Sequence, residues 1–375
     1  MEEGEKLLRK AFIILLIGLL LTGCHDQLYL ENAEIALIIA FDLAENGDVM
    51  QYAFRPVFER EVAKKYEVTR VQDPLSLRSI RKKVSTITSG YINVRKLQLV
   101  LFSKELLKHR NMYPFLDEIY RNPKSELNAK VAVFDGPIEQ VSEVPWQSKG
   151  RPGVIIPRIL DQAFFNGTAL LADLLRYRKQ LVDPRITPYM PELYYNQGRI
   201  RVKGTTLLDK KGIYQLSLNP DESSYLTLLK GDLRKTLSLQ FDDLGFAPLK
   251  KSFGIEVYQV DRTVHAQIQH DQPQITVDLN LKVIVTERAF DVPIDQKAAT
   301  QKVEAKLAQA IQQRCQQLLR KLQQHQVDPV GFGYDLKAQQ YPWWKKHENK
   351  WPEAIAQTNI IIKPKVEVSN YGASM

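Results

Sequence analysis

The residues able to do chemistry are few, and their spacing narrows the chemistry further. There are two cysteines, Cys24 and Cys315, and six histidines, at positions 25, 109, 265, 270, 325 and 347. The histidines form no His-Glu-x-x-His run and no paired Cys/His spacing of a metal site. His265 and His270 lie five apart in a strand-like segment, which puts them on opposite faces and keeps them from chelating together. No Gly-x-Ser-x-Gly elbow and no phosphate loop occurs. Gly331-Phe332-Gly333 is too short for a dinucleotide fingerprint and reads as a tight turn. Acidic residues are plentiful, but nothing in their spacing selects a general acid–base pair. The expectation is no catalytic residue, no metal and no cofactor. One nucleophile stands apart: the thiol of Cys24, a soft centre suited to alkylation.

The stretch that presents Cys24 is Ala11 to Leu21, eleven residues that are apolar apart from Gly18. Lys6, Arg9 and Lys10 precede it. About 30 Å of hydrocarbon needs roughly 20 apolar residues, so this run is too short for a permanent span. It has the length of a signal-peptide core. Leu21-Thr22-Gly23-Cys24 then resembles the lipobox of bacterial lipoproteins, in which the cysteine is alkylated by a diacylglycerol and the chain is cut before it. A buried cysteine closing a short core helix is the bland alternative; charge, length and position all fit the signal template. Residues 1–23 are thus expected to be a lipoprotein signal peptide. Cys24 becomes the first mature residue, held to membrane lipid by acyl chains such as palmitate.

Composition is that of a globular protein, with 44% hydrophobic and 25% charged residues. The net charge of +9 suits an anionic headgroup or an acidic partner. Nucleic acid is not expected, because no Lys/Arg-dense run with interleaved aromatics, zinc-finger spacing or RNP-like motif is present. With Cys24 lipidated, Cys315 has no intramolecular disulfide partner.

Three regions follow. In residues 24–190, strands are expected at 35–41, 49–58, 97–102 and 130–134. The first two are joined by an Asn46-Gly47 hairpin. Helices are expected at 74–87 (Leu77, Ile80, Val84 and Ile87 inward), 104–120 with a bend at Pro114, and 168–178. Opening on a hairpin argues for a mixed sheet with packed helices rather than a doubly wound parallel sheet. Pro184, Pro188 and Pro191 mark an extended boundary. Residues 191–249 read as a small α+β region: strand 199–208, turn 209–212, strand 213–218, and a helix started by Asn219-Pro220-Asp221-Glu222. In residues 250–375, Ile275 to Val285 alternate as a half-buried strand. A long helix over 295–325 follows, with Val303, Leu307, Ile311, Cys315, Leu318 and Leu322 on one stripe. Cys315 is therefore a small core residue rather than a reactive thiol. A closing strand, 359–368, carries Pro364 and belongs at an edge. The fold class expected is α+β: three mixed domains after the signal peptide.

Trp343, Trp344 and Trp351 fall within nine residues, beside Lys345, Lys346 and Lys350. Core packing and a docking surface are both open to such a segment. On the second reading these tryptophans are the candidate partner-binding residues.

Taken in order, these features resemble the Ger(x)C spore germination lipoproteins. The resemblance is carried by Gly23-Cys24-His25-Asp26 with Glu34-Ile35 and Phe41-Asp42. It continues through Lys203 to Tyr214 with Leu216 and Glu222. It ends on Asp328-Pro-Val-Gly-Phe-Gly333, the spaced tryptophans, the alternating Ile360 to Val368 and Gly372. It implies a lipid-anchored C subunit of a nutrient germinant receptor, on the outer face of the spore inner membrane beside integral membrane A and B subunits. It carries over no catalytic residue. A lipid-anchored solute-binding protein of a transporter is the alternative, although the small strand-rich middle region argues against its two-lobed build.

Overall fold

A computed structural model describes residues 33–57, 66–73, 91–121, 125–242, 252–288 and 297–370, with the short stretches 4–5, 9–12, 82–83, 86 and 244. Cys24 and its motif, the helix expected over 74–87, the boundary expected near 249 and Gly372 lie outside the described residues, apart from isolated positions.

The strands are β1 (Ala33–Ile35), β2 (Ile38–Leu43), β3 (Val49–Pro56), β4 (Tyr66–Asp73), β5 (Tyr91–Asn93), β6 (Leu99–Ser103), β7 (Lys130–Phe134), β8 (Ala172–Asp173), β9 (Tyr189–Asn196), β10 (Arg199–Leu208) and β11 (Tyr214–Leu218). After them come β12 (Leu237–Phe241), β13 (Phe253–Gln269), β14 (Gln272–Arg288) and β15 (Asn359–Asn370). A nine-stranded mixed sheet has the order β11-β10-β9-β7-β6-β2-β3-β4, with β8 also on β7. Its middle strands β2, β6, β7 and β9 are parallel, and antiparallel hairpins flank them. The small pair β1–β5 stands apart.

Both faces of this sheet are covered, which is why β6 is buried at every position. One face puts Ile39, Phe41, Val100 and Val131 under helices Lys104–His109, Tyr113–Arg121 and Leu174–Val182. The other puts Ile38, Leu101 and Phe134 against Trp146 and helix Pro152–Phe165.

A second sheet has the order β12-β13-β14-β15. Its first three strands are antiparallel, and β15 lies parallel to β14 at the edge, as its proline requires. The alternating strand of the sequence is β14, with Ile275 to Val285 buried at every second position. Helix Lys297–Gln324 lays its expected stripe on this sheet, and Cys315 is fully buried in it. Helix Pro220–Lys230 joins the same core, started by a complete Asn219/Glu222 capping box.

The fold is α+β, but its sheets divide the chain differently from the three expected regions. The boundary expected at 190/191 falls inside β9, which pairs with β10 along its length and with β7 at Glu192 and Leu193. The expected middle region, 191–249, is shared: β9 to β11 complete the first sheet and β12 begins the second. The prolines do not interrupt β9: Pro191 takes an ordinary place opposite Thr205, one residue before the β7 ladder begins. The expected 168–178 helix starts only at Leu174. Ala172 pairs with Val131 in the sheet, and the Asp173 side chain caps the helix by accepting from the Arg176 N–H at 2.6 Å. Leu175 is consequently exposed rather than inward. The expected 104–120 helix is two helices, with Pro114 in the first turn of the second.

Candidate functional site

The motif Asp328 to Gly333 sits where the two sheets meet. Helix Lys297–Gln324 ends just before it, and the 183–188 segment of the first unit lies across from it. The Asp328 N–H donates to Thr187 Oγ1 at 2.7 Å, and the Thr187 N–H donates to the Asp328 carbonyl at 2.8 Å. The Asp328 carboxylate is buried. It accepts from the Gly331 N–H at 2.8 Å, the Gly333 N–H at 3.1 Å and Trp351 Nε1 at 3.0 Å. Burial pushes this carboxyl above its usual range, against the pull of those donors.

Both glycines are required here. Gly331 has φ +90°, a left-handed conformation. A Cβ on Gly333 would lie 2.7 Å from the Arg185 backbone and 2.9 Å from the Trp344 ring.

Two part-buried lysines complete the seam. Lys230 donates to the carbonyls of Pro329 at 2.8 Å and Val330 at 3.3 Å, with Tyr189 beneath it. Lys210 donates to the carbonyls of Gln180 at 2.8 Å, Asp183 and Ile186. Burial lowers each to about 8, although nearby carboxylates oppose it.

The tryptophans belong to this seam and not to an exposed face. Trp344 and Trp351 are 1% and 2% exposed and meet edge to face at 5.5 Å. Trp343 is 8% exposed, donates to the Asp271 carbonyl at 3.0 Å and stacks on His347. The two short helices Tyr341–His347 and Trp351–Gln357 turn their rings inward and leave Lys345, Lys346 and Lys350 exposed. The lysines carry solubility; the indoles carry packing.

A second polar cluster went unseen in the sequence. Glu192 of β9, with no exposure, accepts from Lys104 at 3.1 Å, Thr206 at 2.7 Å and Ser217 at 2.5 Å. Lys203 and Asp135 close the network, and Lys104 lies over the Tyr214 ring. Burial opposes ionisation of Asp135, but Lys203 and Lys104 outweigh it and hold its carboxyl below the usual range. Two cations face two carboxylates, so the charges neutralise one another. Spacing could not reveal it, since the four charges come from four separate strands or strand ends. Among the described residues, no group of three or more His, Cys, Asp or Glu side chains could hold a metal ion. His265 lies 3.5 Å from Asp278, while His270 sits in the β13–β14 turn.

The sheets and the seam define an α+β protein whose buried polar groups serve to join its parts. Residues 26–194 match the model of the spore germination protein N-terminal domain, and residues 203–372 match that of spore germination B3/GerAC-like proteins, C-terminal. The chain belongs to the Ger(x)C family of spore germination proteins. It is 19% identical to the putative spore germination protein YfkR of Bacillus subtilis (strain 168), with 98% of each chain covered. It is also 19% identical to spore germination protein KC of the same organism, over 96% of this chain and 95% of that one. The crystal structure of the GerBC protein superposes with a TM-score of 0.59 at 15% identity, covering 88% of this chain and 97% of that chain.

Proposed function

We propose that the chain is a lipid-anchored, non-catalytic subunit of a spore nutrient germinant receptor, acting through contacts with integral membrane A and B subunits. The observation that carries this reading is the Leu21-Thr22-Gly23-Cys24 motif after a short apolar core, at the head of a chain matched to the family almost throughout. Acylated Cys24 holds the protein on the outer face of the spore inner membrane. Tethering raises its effective concentration near membrane partners, so modest surface contacts suffice for assembly. Among the described residues, no helix is long and apolar enough to cross a membrane. A contact role also agrees with the polar clusters: Glu192, Lys104, Lys203 and Asp135 satisfy each other, and Asp328, Lys210 and Lys230 are spent on the seam.

The test is Cys24→Ala in spores, read by metabolic acyl labelling, membrane fractionation and nutrient-triggered germination. Label and membrane association should both be lost, and nutrient germination should fail while the protein remains folded. A Cys24→Ala protein that still carries labelled lipid would refute the anchor. Normal nutrient germination in a strain lacking the protein would refute the receptor role.

A further inference from the structure

A groove of about 570 Å³ opens on the outer side of the seam. One wall is the end of helix Leu174–Val182 with Asp183 to Arg185; the other is Tyr334, Lys337, Trp344 and Glu348. Three properties set it apart from the rest of the surface.

The first is an unpaired donor. The protein has four tryptophans. The indole N–H groups of Trp146, Trp343 and Trp351 all donate to protein acceptors. Trp344 lines the groove and is 1% exposed, yet its Nε1 has no acceptor among the described residues. Buried donors are rarely left so, and the ring that carries this one forms part of the groove wall.

The second is exposed apolar surface. Val182 at the lip is 70% exposed, and Leu175 lies seven residues earlier on the same helix face at 39%. Tyr334, on the opposite wall, is 41% exposed. Apolar side chains gathered at a concave lip mark an interaction surface more strongly than scattered ones do.

The third is charge. The walls carry Lys179, Arg185 and Lys337 against Asp183 and Glu348. Asp183 is already spent. Arg185 grips its carboxylate at 2.7 and 2.8 Å, and the Tyr334 hydroxyl donates to it at 2.9 Å. That leaves Lys179 and Lys337 facing Glu348 alone, a local excess of positive charge.

We infer that this groove docks an acidic, extended peptide segment of a partner protein. An extended chain lies along the groove between its two walls, against the edge of the Trp344 ring. Its apolar side chain lies against Val182 and Tyr334, and its carboxylates meet Lys179 and Lys337. A flat headgroup plane would meet the lysines at the rim but not the two walls of the groove. This deepens the receptor-subunit reading by giving the partner's chemistry, and rests on it for the partner's existence.

The experiment uses the full acylated chain, 15N-labelled at tryptophan, in neutral detergent. The probe is a capped octapeptide alternating glutamate and leucine. The Trp344 indole resonance, assigned by its loss in Trp344→Phe, should shift on titration while the other three stay in place. A fluorescent version of the peptide should bind Lys179→Glu/Lys337→Glu about tenfold to a hundredfold more weakly, the scale of one or two lost charge-assisted contacts. The melting point of that variant should be unchanged. An unmoved Trp344 resonance overturns the proposal. So does an equal shift with a lysine–leucine octapeptide, with free glutamate, or with phosphatidylglycerol vesicles, which would mean an apolar, small-acid or lipid site respectively. No germination readout is involved, so this failure is separate from failure of the receptor role.

Discussion

At the scale of residues, the seam depends on groups that would be liabilities alone. Asp328 is tolerable inside the protein because three N–H donors converge on it. Asp328→Asn keeps the size but sets an NH2 against one of those donors. We expect a loss of ~1–3 kcal/mol in chemical denaturation, as for a buried donor left unmet. Trp344→Ala and Trp351→Ala should each cost ~3–5 kcal/mol, the penalty of emptying an aromatic site in a core. An early melt in these variants separates core from interface; an unchanged melt would contradict the packing. Lys210 and Lys230 make a prediction in pH. Each titrates near 8 in the folded protein. An unfolded lysine titrates at about 10.4. Between these values the unfolded chain holds more protons, so stability rises with pH across that window. Below it both states are charged, and the contribution is flat. Above about pH 10, where free tyrosine ionises, the part-buried Tyr120 and the buried Tyr225 keep their protons and the slope turns down. Lys230→Met should flatten the rise in midpoint between pH 8 and 10. An identical slope in the variant would show that Lys230 stays charged throughout.

At the scale of elements, helix Lys297–Gln324 is the clearest case of pattern becoming packing. Its stripe from Val303 to Leu322 is buried at every position, and Cys315 falls in the middle of it. Burial alone pushes the Cys315 thiol up to about 12, so little thiolate exists at neutral pH. Native protein should resist iodoacetamide at Cys315 for as long as it stays folded, and react when denaturant is added. Rapid labelling of native protein would mean that the helix lifts from its sheet. The Gly331-Phe332-Gly333 turn is the other element with a sharp consequence. Gly333→Ala drives a methyl group into the Arg185 backbone and the Trp344 ring. The neighbours there are backbone and a packed indole, so relief requires parting the two units. The expected result is a loss of more than ~2 kcal/mol and new cleavage in limited proteolysis near residues 184–191. In the parent protein that segment should resist, since Thr187 and Ile186 are held by the seam.

For the whole molecule, the two sheets share one apolar cluster at their junction, beside the first sheet's own two. Leu170, Ile186, Tyr189 and Leu207 pack in the same cluster as β13, β14 and the long helix. The family models part at the β9–β10 hairpin, between residues 194 and 203, yet those strands are hydrogen-bonded neighbours. Expressed separately, residues 24–196 and 199–375 should each lack a cooperative thermal transition, because each exposes an unpaired strand and the apolar side chains of the shared junction. Co-expression should restore one transition. A cooperative melt from residues 24–196 alone would show that the first sheet is self-sufficient without β10 and β11.

The sequence by itself determined the local elements. Period-two alternation marks β14, the 4-4-4-3-4 spacing marks the long helix, and Asn219 with Glu222 marks a helix start. In each case the signal lies within a few consecutive turns or residues. The order of these motifs also located the family. Tertiary structure decided everything that depends on partners distant in the chain. Pro191 can join a strand because of which strand lies beside it, and Glu192 is neutralised by lysines 88 residues before it and 11 after it. The tryptophans, whose lysine neighbours admitted a surface, turn inward, and there Trp351 finds an acceptor in Asp328 from 23 residues away. Burial is a property of the assembled core, and a chain read one segment at a time contains no term for it.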